Sequence, residues 1–161
     1  MHSLPSIELR PAAPADAERV RALVRAAYVK WVPALGRKPL PMAADYDRAI
    51  REHELTLLFA DGELVALIEL IPRADHLYVE NVAVRPQSQG KGFGRQLLAH
   101  AEEIAAARGL PELRLLANRV FTSNIALYRA LGYRVDREAP FMGGTAVHMS
   151  KSLAAPLNSR R

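Results

Sequence analysis

The sequence predicts a mixed α/β fold, and three observations carry that prediction. Two apolar runs meet at Asp61-Gly62, the strongest local hairpin signal in the chain. A strand-like run from His76 to Val84 leads through a loop with glycines at 90, 92 and 94 into an amphipathic helical segment. A second strand-like and helix-like pair then precedes two closing strand-like segments.

Each element has its own signal. IELRPA alternates apolar and polar residues and reads as the opening strand. Pro14 and Asp16 introduce a helix with Val20, Leu23, Val24 and Ala27 at helical spacing. WVPALGRKPLPM is dense in proline and glycine and is expected to be a loop, and DYDRAIREH to be a short second helix. LTLLFA and ELVALIELIP are the two hairpin strands. HLYVENVAV is apolar on both faces except at Glu80 and Asn81, as in a central strand covered on either side. Phe93, Leu97, Leu98, Ala101, Ile104 and Ala105 recur every three or four residues, giving a helix that Gly109 and Pro111 end. ELRLLA reads as a strand, TSNIALYRAL as a short helix stopped at Gly132, and YRVDRE with TAVHMSKSL as a closing pair of strands.

The chain has 161 residues, half of them apolar and 24% charged, the profile of one globular domain that can bury a core without cross-links. Residues 1–153 are expected to form that domain and 154–161 a flexible tail. With no cysteine there is no disulfide, thiolate zinc site or cysteine acyl-enzyme, and a cytoplasmic location is expected. The N-terminus carries no leader pattern, and Asp61, Glu63 and Glu69 interrupt the most apolar stretch, so no membrane span is read. A net charge of +5 favours polyanionic partners such as nucleotides or phosphorylated cofactors, although arginines spread along the chain also read as solvated surface.

The glycines at 90, 92 and 94 stand at the mouth of a helix, where the first N–H groups lack intrahelical partners and the helix dipole is positive. A glycine loop there lets a phosphate approach backbone donors, while the plainer alternative is a tight strand-to-helix turn. Two familiar phosphate motifs do not fit. No Gly-Lys-Ser/Thr follows for a P-loop, and Arg95 stands where the third glycine of a dinucleotide fingerprint belongs.

Gln87-Ser88-Gln89-Gly90-Lys91-Gly92, followed by Phe93-Gly94, resembles the Gln/Arg-x-x-Gly-x-Gly/Ala signature of the GNAT superfamily of N-acetyltransferases. VENVAVRP is similar to that family's fourth strand and NIALYRALGY to its asparagine-and-tyrosine helix. The resemblance implies a central, mostly antiparallel sheet of six to seven strands, splayed at strands 4 and 5 and flanked by about four helices. It implies acetyl-CoA as cofactor and a small-molecule or peptide amine as acceptor. It further implies that the backbone of Val82, Ala83 and Val84 holds the acetyl carbonyl and pantetheine arm. Gln87, Ser88, Gln89, Gly90, Lys91, Gly92, Phe93, Gly94 and Arg95 would wrap the diphosphate, and Tyr128 would act as general acid toward the departing thiolate. Many members carry an asparagine seven residues before this tyrosine. Phe121 stands there instead, leaving Asn118 and Asn124 as candidates. A homodimer through the last strands is common among relatives.

Acetyl transfer needs a neutral amine, yet an alkyl amine with a pKa near ~10.4 is mostly protonated at neutral pH, a cost of roughly 4–5 kcal/mol. Glu80 is the candidate base, since residues 80, 82 and 84 share one strand face, beside the implied carbonyl site. A carboxylate in so apolar a strand is expected to have a raised pKa unless it pairs with an arginine, and the base could instead act through water. Tyr128 has the alternative role of a core aromatic. The histidines at 2, 53, 76, 100 and 148 have no metal-ligand spacing, and no metal is expected. His76 shares the parity of Glu80 and is a candidate acceptor contact. Tyr28, Trp31, Arg37, Lys38 and Tyr46 mix rings with positive charge, as an aromatic or carboxylated amine would require. Two other functions fit less of the chain. A non-catalytic acyl-CoA sensor would keep the glycine loop, and a toxin-like enzyme acting on aminoacyl-tRNA would need a basic stripe that is not concentrated here.

Overall fold

Asp61 and Gly62 both adopt left-handed backbone, with φ of 50° and 81°, the conformation a two-residue hairpin turn needs to match strand twist. The computed structural model of the chain describes residues 3–153, so the expected tail at 154–161 lies outside the described residues. The turn joins β2 (Glu54–Ala60) to β3 (Glu63–Pro72). With β1 (Ile7–Pro11), β4 (Leu77–Val84), β5 (Glu112–Asn118), β6 (Arg134–Phe141) and β7 (Gly144–Ser152), these strands form one sheet in the order β1-β2-β3-β4-β5-β7-β6. The pairings β1–β2, β2–β3, β5–β7 and β6–β7 are antiparallel. β4 and β5 are parallel, in register at Leu77–Leu113 and Tyr78–Arg114 near their starts, as strands that part further along require. The mostly antiparallel sheet of six to seven strands that the resemblance implies is therefore present, with seven strands. No helix among the described residues is long and apolar enough to cross a membrane.

The chain divides into two compact units, Met1–Leu70 with Asn81–Leu98, and Ile71–Glu80 with Ala99–Arg161. In the first, Leu57, Leu58, Leu67, Ile68 and Leu70 have no exposed surface, and burying each such side chain stabilises by about 2 kcal/mol. Helix α1 (Ala17–Tyr28) buries Val20, Leu23, Val24 and Ala27, the stripe its spacing predicts. Asp16 fastens the entry to that helix. Its buried carboxylate accepts from both guanidinium ends of Arg10 at 2.9 and 3.1 Å, from Arg19, and from the Ala13 amide at 2.7 Å. The Arg10 hydrogen bonds, with the Ala13 amide and Arg19, hold this carboxyl well below the usual range.

One expectation needs correction. A 3-10 turn at Val29–Trp31 leads into the proline-rich segment, which forms two single-turn helices, α2 (Val32–Leu35) and α3 (Leu40–Ala43). Pro33 and Pro41 occupy the second position of each helix, where a missing N–H costs nothing, and Gly36 ends α2 with φ of 75°. Residues read as loop signals are here helix starts and stops. Helix α4 (Tyr46–Glu52) follows, its first turn capped by Asp45, which accepts from the Arg48 amide at 3.1 Å.

In the second unit, β7 lies between β5 and β6, with Met149 opposite both Leu115 and Val135. Met142 and Gly143 make the β6–β7 turn with φ of 47° and 81°. Helix α5 (Phe93–Ala107) begins in the first unit and ends in this one, where Gly109 at φ 69° lets the Leu110 amide bond back to the Ala105 carbonyl at 2.9 Å. Helix α6 (Thr122–Ala130) ends the same way: Gly132 at φ 96° turns the chain so that the Tyr133 amide reaches the Tyr128 carbonyl at 3.0 Å. This turn brings the two tyrosine rings together, with centroids 5.7 Å apart.

Candidate functional site

In the first unit, β4 ends in buried Val82 and Ala83 and half-buried Val84, and the loop beyond is pinned at its base. The Arg85 amide donates to the Val65 carbonyl, and its guanidinium donates to Ser88 Oγ at 2.7 Å and pairs with Glu63 at 3.0 Å. Ser88 is buried within the 3-10 turn Pro86–Ser88. Gln89 donates to the Val84 carbonyl at 3.0 Å and accepts from Lys30 Nζ at 3.0 Å.

Gly90 and Gly92 follow at φ of 79° and 86°, and a Cβ built at either would meet nothing within 4 Å. These positions thus require glycine for backbone conformation, and the space over them is open to a ligand. Gly94 differs, being buried in the first turn of α5 without positive φ. The amides opening this 15-residue helix are free of intrahelical acceptors by geometry. Gln87, Lys91 and Arg95 are exposed around them. Open left-handed glycines, orphan amides and two cations form a setting that fits a diphosphate.

The residues expected to meet an acceptor separate into two kinds. Trp31 and Arg37 are half-exposed, with Lys30 Nζ 5.0 Å from the Trp31 ring centroid and Arg37 donating to the Lys38 carbonyl at 3.3 Å. Tyr28 and Tyr46 are buried at 7% and 1% exposure, with their hydroxyls engaged inside the unit, which makes them anchors.

In the second unit, Tyr78 and Glu80 share one parity of β4, and His76 lies one residue before the strand begins. His76 bonds to the Asp75 carboxylate at 2.7 Å and meets the Tyr78 ring edge-on at 6.4 Å. Glu80 is exposed, so the expected apolar enclosure of its carboxylate is not found: the strand buries Val79 and Asn81 on either side but leaves residue 80 to solvent. Burial, and to a lesser degree the Glu80 charge, push the Tyr78 phenol up to about 12. Tyr78 was not singled out in the sequence, although its parity with Glu80 was a usable signal.

Tyr128 is buried and its phenol is pushed well above the ordinary range by desolvation. Tyr133 is raised by burial and by the charge of Glu102, and its hydroxyl has no hydrogen-bond partner among the described residues. Asn118 Oδ1 accepts from the Val120 amide at 3.1 Å, while Nδ2 lies 3.2 Å from where a Gly144 Cβ would stand. Asn124, one turn before Tyr128 on α6, is half-exposed.

The sequence profile of the acetyltransferase (GNAT) family matches residues 18–133. Streptothricin acetyltransferase of Streptomyces lavendulae is 36% identical over 76 residues, which are 46% of this chain and 40% of that protein. Spermidine N(1)-acetyltransferase of Thermoplasma acidophilum is 31% identical over 78 residues, 48% of each chain. The chain thus matches less than half the length of these curated relatives. Among solved structures, the PaiA N-acetyltransferase of Thermoplasma acidophilum in complex with coenzyme A superposes with a TM-score of 0.78 at 23% identity, covering 92% of this chain and 99% of that one.

Proposed function

Because the chain belongs to the acetyltransferase (GNAT) family, we propose that it is an acetyl-CoA-dependent N-acetyltransferase that passes an acetyl group directly to a primary amine of a small molecule or peptide. The observation that carries this reading is the pair of open, left-handed glycines at 90 and 92 ahead of α5. Spermidine, in the name of one relative, is an amine of the required kind.

Acetyl-CoA supplies the acetyl group as a thioester, whose carbonyl carbon an amine nitrogen can attack. In the transfer a C–N bond forms, the C–S bond breaks, the nitrogen loses a proton and the sulfur gains one. The backbone of Val82 to Val84 is assigned to orient the acetyl carbonyl, and Gln87 to Arg95 to hold the diphosphate. Glu80 takes the proton from the amine directly or through water, and its exposure lets it return that proton to solvent. Burial disfavours the ionised form of Tyr128, so the phenol holds its proton until the thiolate departs and is placed to donate it to the sulfur. Asn118 has its side-chain oxygen on the Val120 amide, and Asn124 is therefore the asparagine assigned to the cofactor. Trp31 and Arg37 remain for an aromatic or carboxylate group on the acceptor, while Tyr28 and Tyr46 hold the segment that carries them.

The test is release of coenzyme A thiol from acetyl-CoA with a panel comprising spermidine, phenylalanine amide and an alanine-terminated peptide. Thiol release that depends on an amine and matches acetylated product is expected. Saturable acetyl-CoA binding without thiol release from any amine would replace transfer with a binding role.

A further inference from the structure

We propose that Asn81 is a positioning residue that staples both ends of segment 29–45 to β4, and thereby sets the affinity for the amine acceptor. The inference rests on the reading above, in which β4 and the glycine loop hold acetyl-CoA. Tyr28 is the last residue of α1 and Tyr46 the first of α4, so the two flank this segment. Both bond to one amide. Tyr28 donates its hydroxyl to Asn81 Oδ1 at 2.6 Å, and Asn81 Nδ2 donates to the Tyr46 hydroxyl at 3.3 Å. Tyr46 then donates to the Pro41 carbonyl, inside the segment itself, at 2.7 Å.

The chain of donors runs one way, and that direction fixes the amide. A flipped Asn81 would present its oxygen to Tyr46, drawing that proton away from Pro41. Asn81 is 4% exposed. A leucine would fill a site of similar volume without the desolvation cost of a buried amide, so packing alone gives no reason for asparagine there. What the amide adds is a fixed position for the segment. Lys30, bonded to Gln89, ties the same segment to the glycine loop a second time. Between the anchors the segment presents Val29 at 52% exposure, Leu40 at 48%, half-exposed Trp31 and Arg37. Asn81 itself stands on β4 between Glu80, assigned as base, and Val82, where the acetyl cradle begins. A displaced segment would therefore alter where an amine sits relative to both, with the cofactor loop left in place.

The experiment uses the full chain, with Tyr28→Phe and Asn81→Leu singly and together, and Tyr46→Phe as a milder variant that keeps the ring. Amine KM and kcat are read by thiol release with the best amine of the panel above, and acetyl-CoA affinity by calorimetry. Tyr28→Phe is expected to raise amine KM about fivefold, the value of one lost hydrogen bond, with the acetyl-CoA Kd unchanged within about twofold. Asn81→Leu should raise it further, and the double variant no more than Asn81→Leu alone, because the groups act as one unit. A lower melting temperature with unchanged amine KM in all four variants would overturn the proposal and leave a purely structural network. Equal loss of amine and acetyl-CoA affinity would overturn it also. If the wild-type protein gives no acetyl-CoA heat, the cofactor reading fails and the proposal with it; acetyl-CoA binding with unaltered amine kinetics sinks the proposal alone.

Discussion

Residues 87–95 and residues 29–45 belong to the same unit but are held in opposite ways. The glycine loop is shaped by its own backbone: left-handed Gly90 and Gly92 set the path, Ser88 and Gln89 fasten its base, and most of its side chains face solvent. Segment 29–45 is shaped from outside, by Tyr28 and Tyr46 at its ends and by an asparagine far along the chain. The first arrangement presents donors that any diphosphate could use. The second sets the position of a handful of exposed groups. On the proposed reading, cofactor binding would follow from local backbone and acceptor binding from long-range side-chain contacts.

The variant expected to have the largest effect lies outside both regions and supplies their reference. Tyr128→Phe should lower kcat by about a hundredfold, the usual scale of a lost proton donor, with acetyl-CoA affinity and amine KM nearly unchanged. Unchanged turnover would remove the acid role. Next, Gly90→Val and Gly92→Val attack the loop alone. Forcing a β-branched residue to positive φ costs about 1–2 kcal/mol, so each should weaken acetyl-CoA about tenfold by calorimetry while leaving amine KM unaltered. A matching rise in amine KM would break the separation of the two regions.

Lys30→Ala addresses the link between them. Removing an exposed ammonium bonded to Gln89 should raise the acetyl-CoA KM about threefold, and more weakly at high salt, as expected for a screened charge. No change with either substrate would show that the tie is incidental.

The smallest effect belongs to buried Glu69 and its half-exposed partner His53, which serve as a stability control. Glu69 accepts from or donates to His53 Nδ1 at 2.6 Å, and burial raises the Glu69 carboxyl above its ordinary value of 4.5, with His53 opposing the shift. A raised folded pKa means the folded chain binds the proton more tightly than the unfolded chain. The stabilisation it contributes is complete below 4.5 and is lost as pH rises through the raised value. Glu69→Gln should therefore flatten that part of the urea midpoint against pH, without a change in either substrate's KM. A slope equal to wild type would contradict the assignment.

The same division explains what could be read from the sequence. Asp61-Gly62 announced its hairpin because both residue types tolerate positive φ, whereas Met142-Gly143 makes a comparable turn with a methionine at φ 47°, which carries no such signal. The glycine loop and the helix ending at Gly132 were legible because their conformations follow from residue type. The short helices in the proline-rich segment were not, since Pro33, Gly36 and Pro41 mark loops and helix ends alike. Alternation puts Glu80 on β4, but its exposure follows from surroundings that parity alone does not specify. The sequence marks Tyr28 only as a ring near positive charge; its partner Asn81 lies more than fifty positions away, and no periodicity connects them.

The claim on which the remainder depends is that the amides and glycines opening α5 cradle the diphosphate of coenzyme A. Isothermal titration of coenzyme A into the wild-type chain and into Gly92→Val tests it most directly. Saturable heat that inorganic pyrophosphate reduces by competition is expected with the wild type, and binding about tenfold weaker in the variant. Absence of heat from folded wild-type protein, or equal affinity in the two, would contradict it.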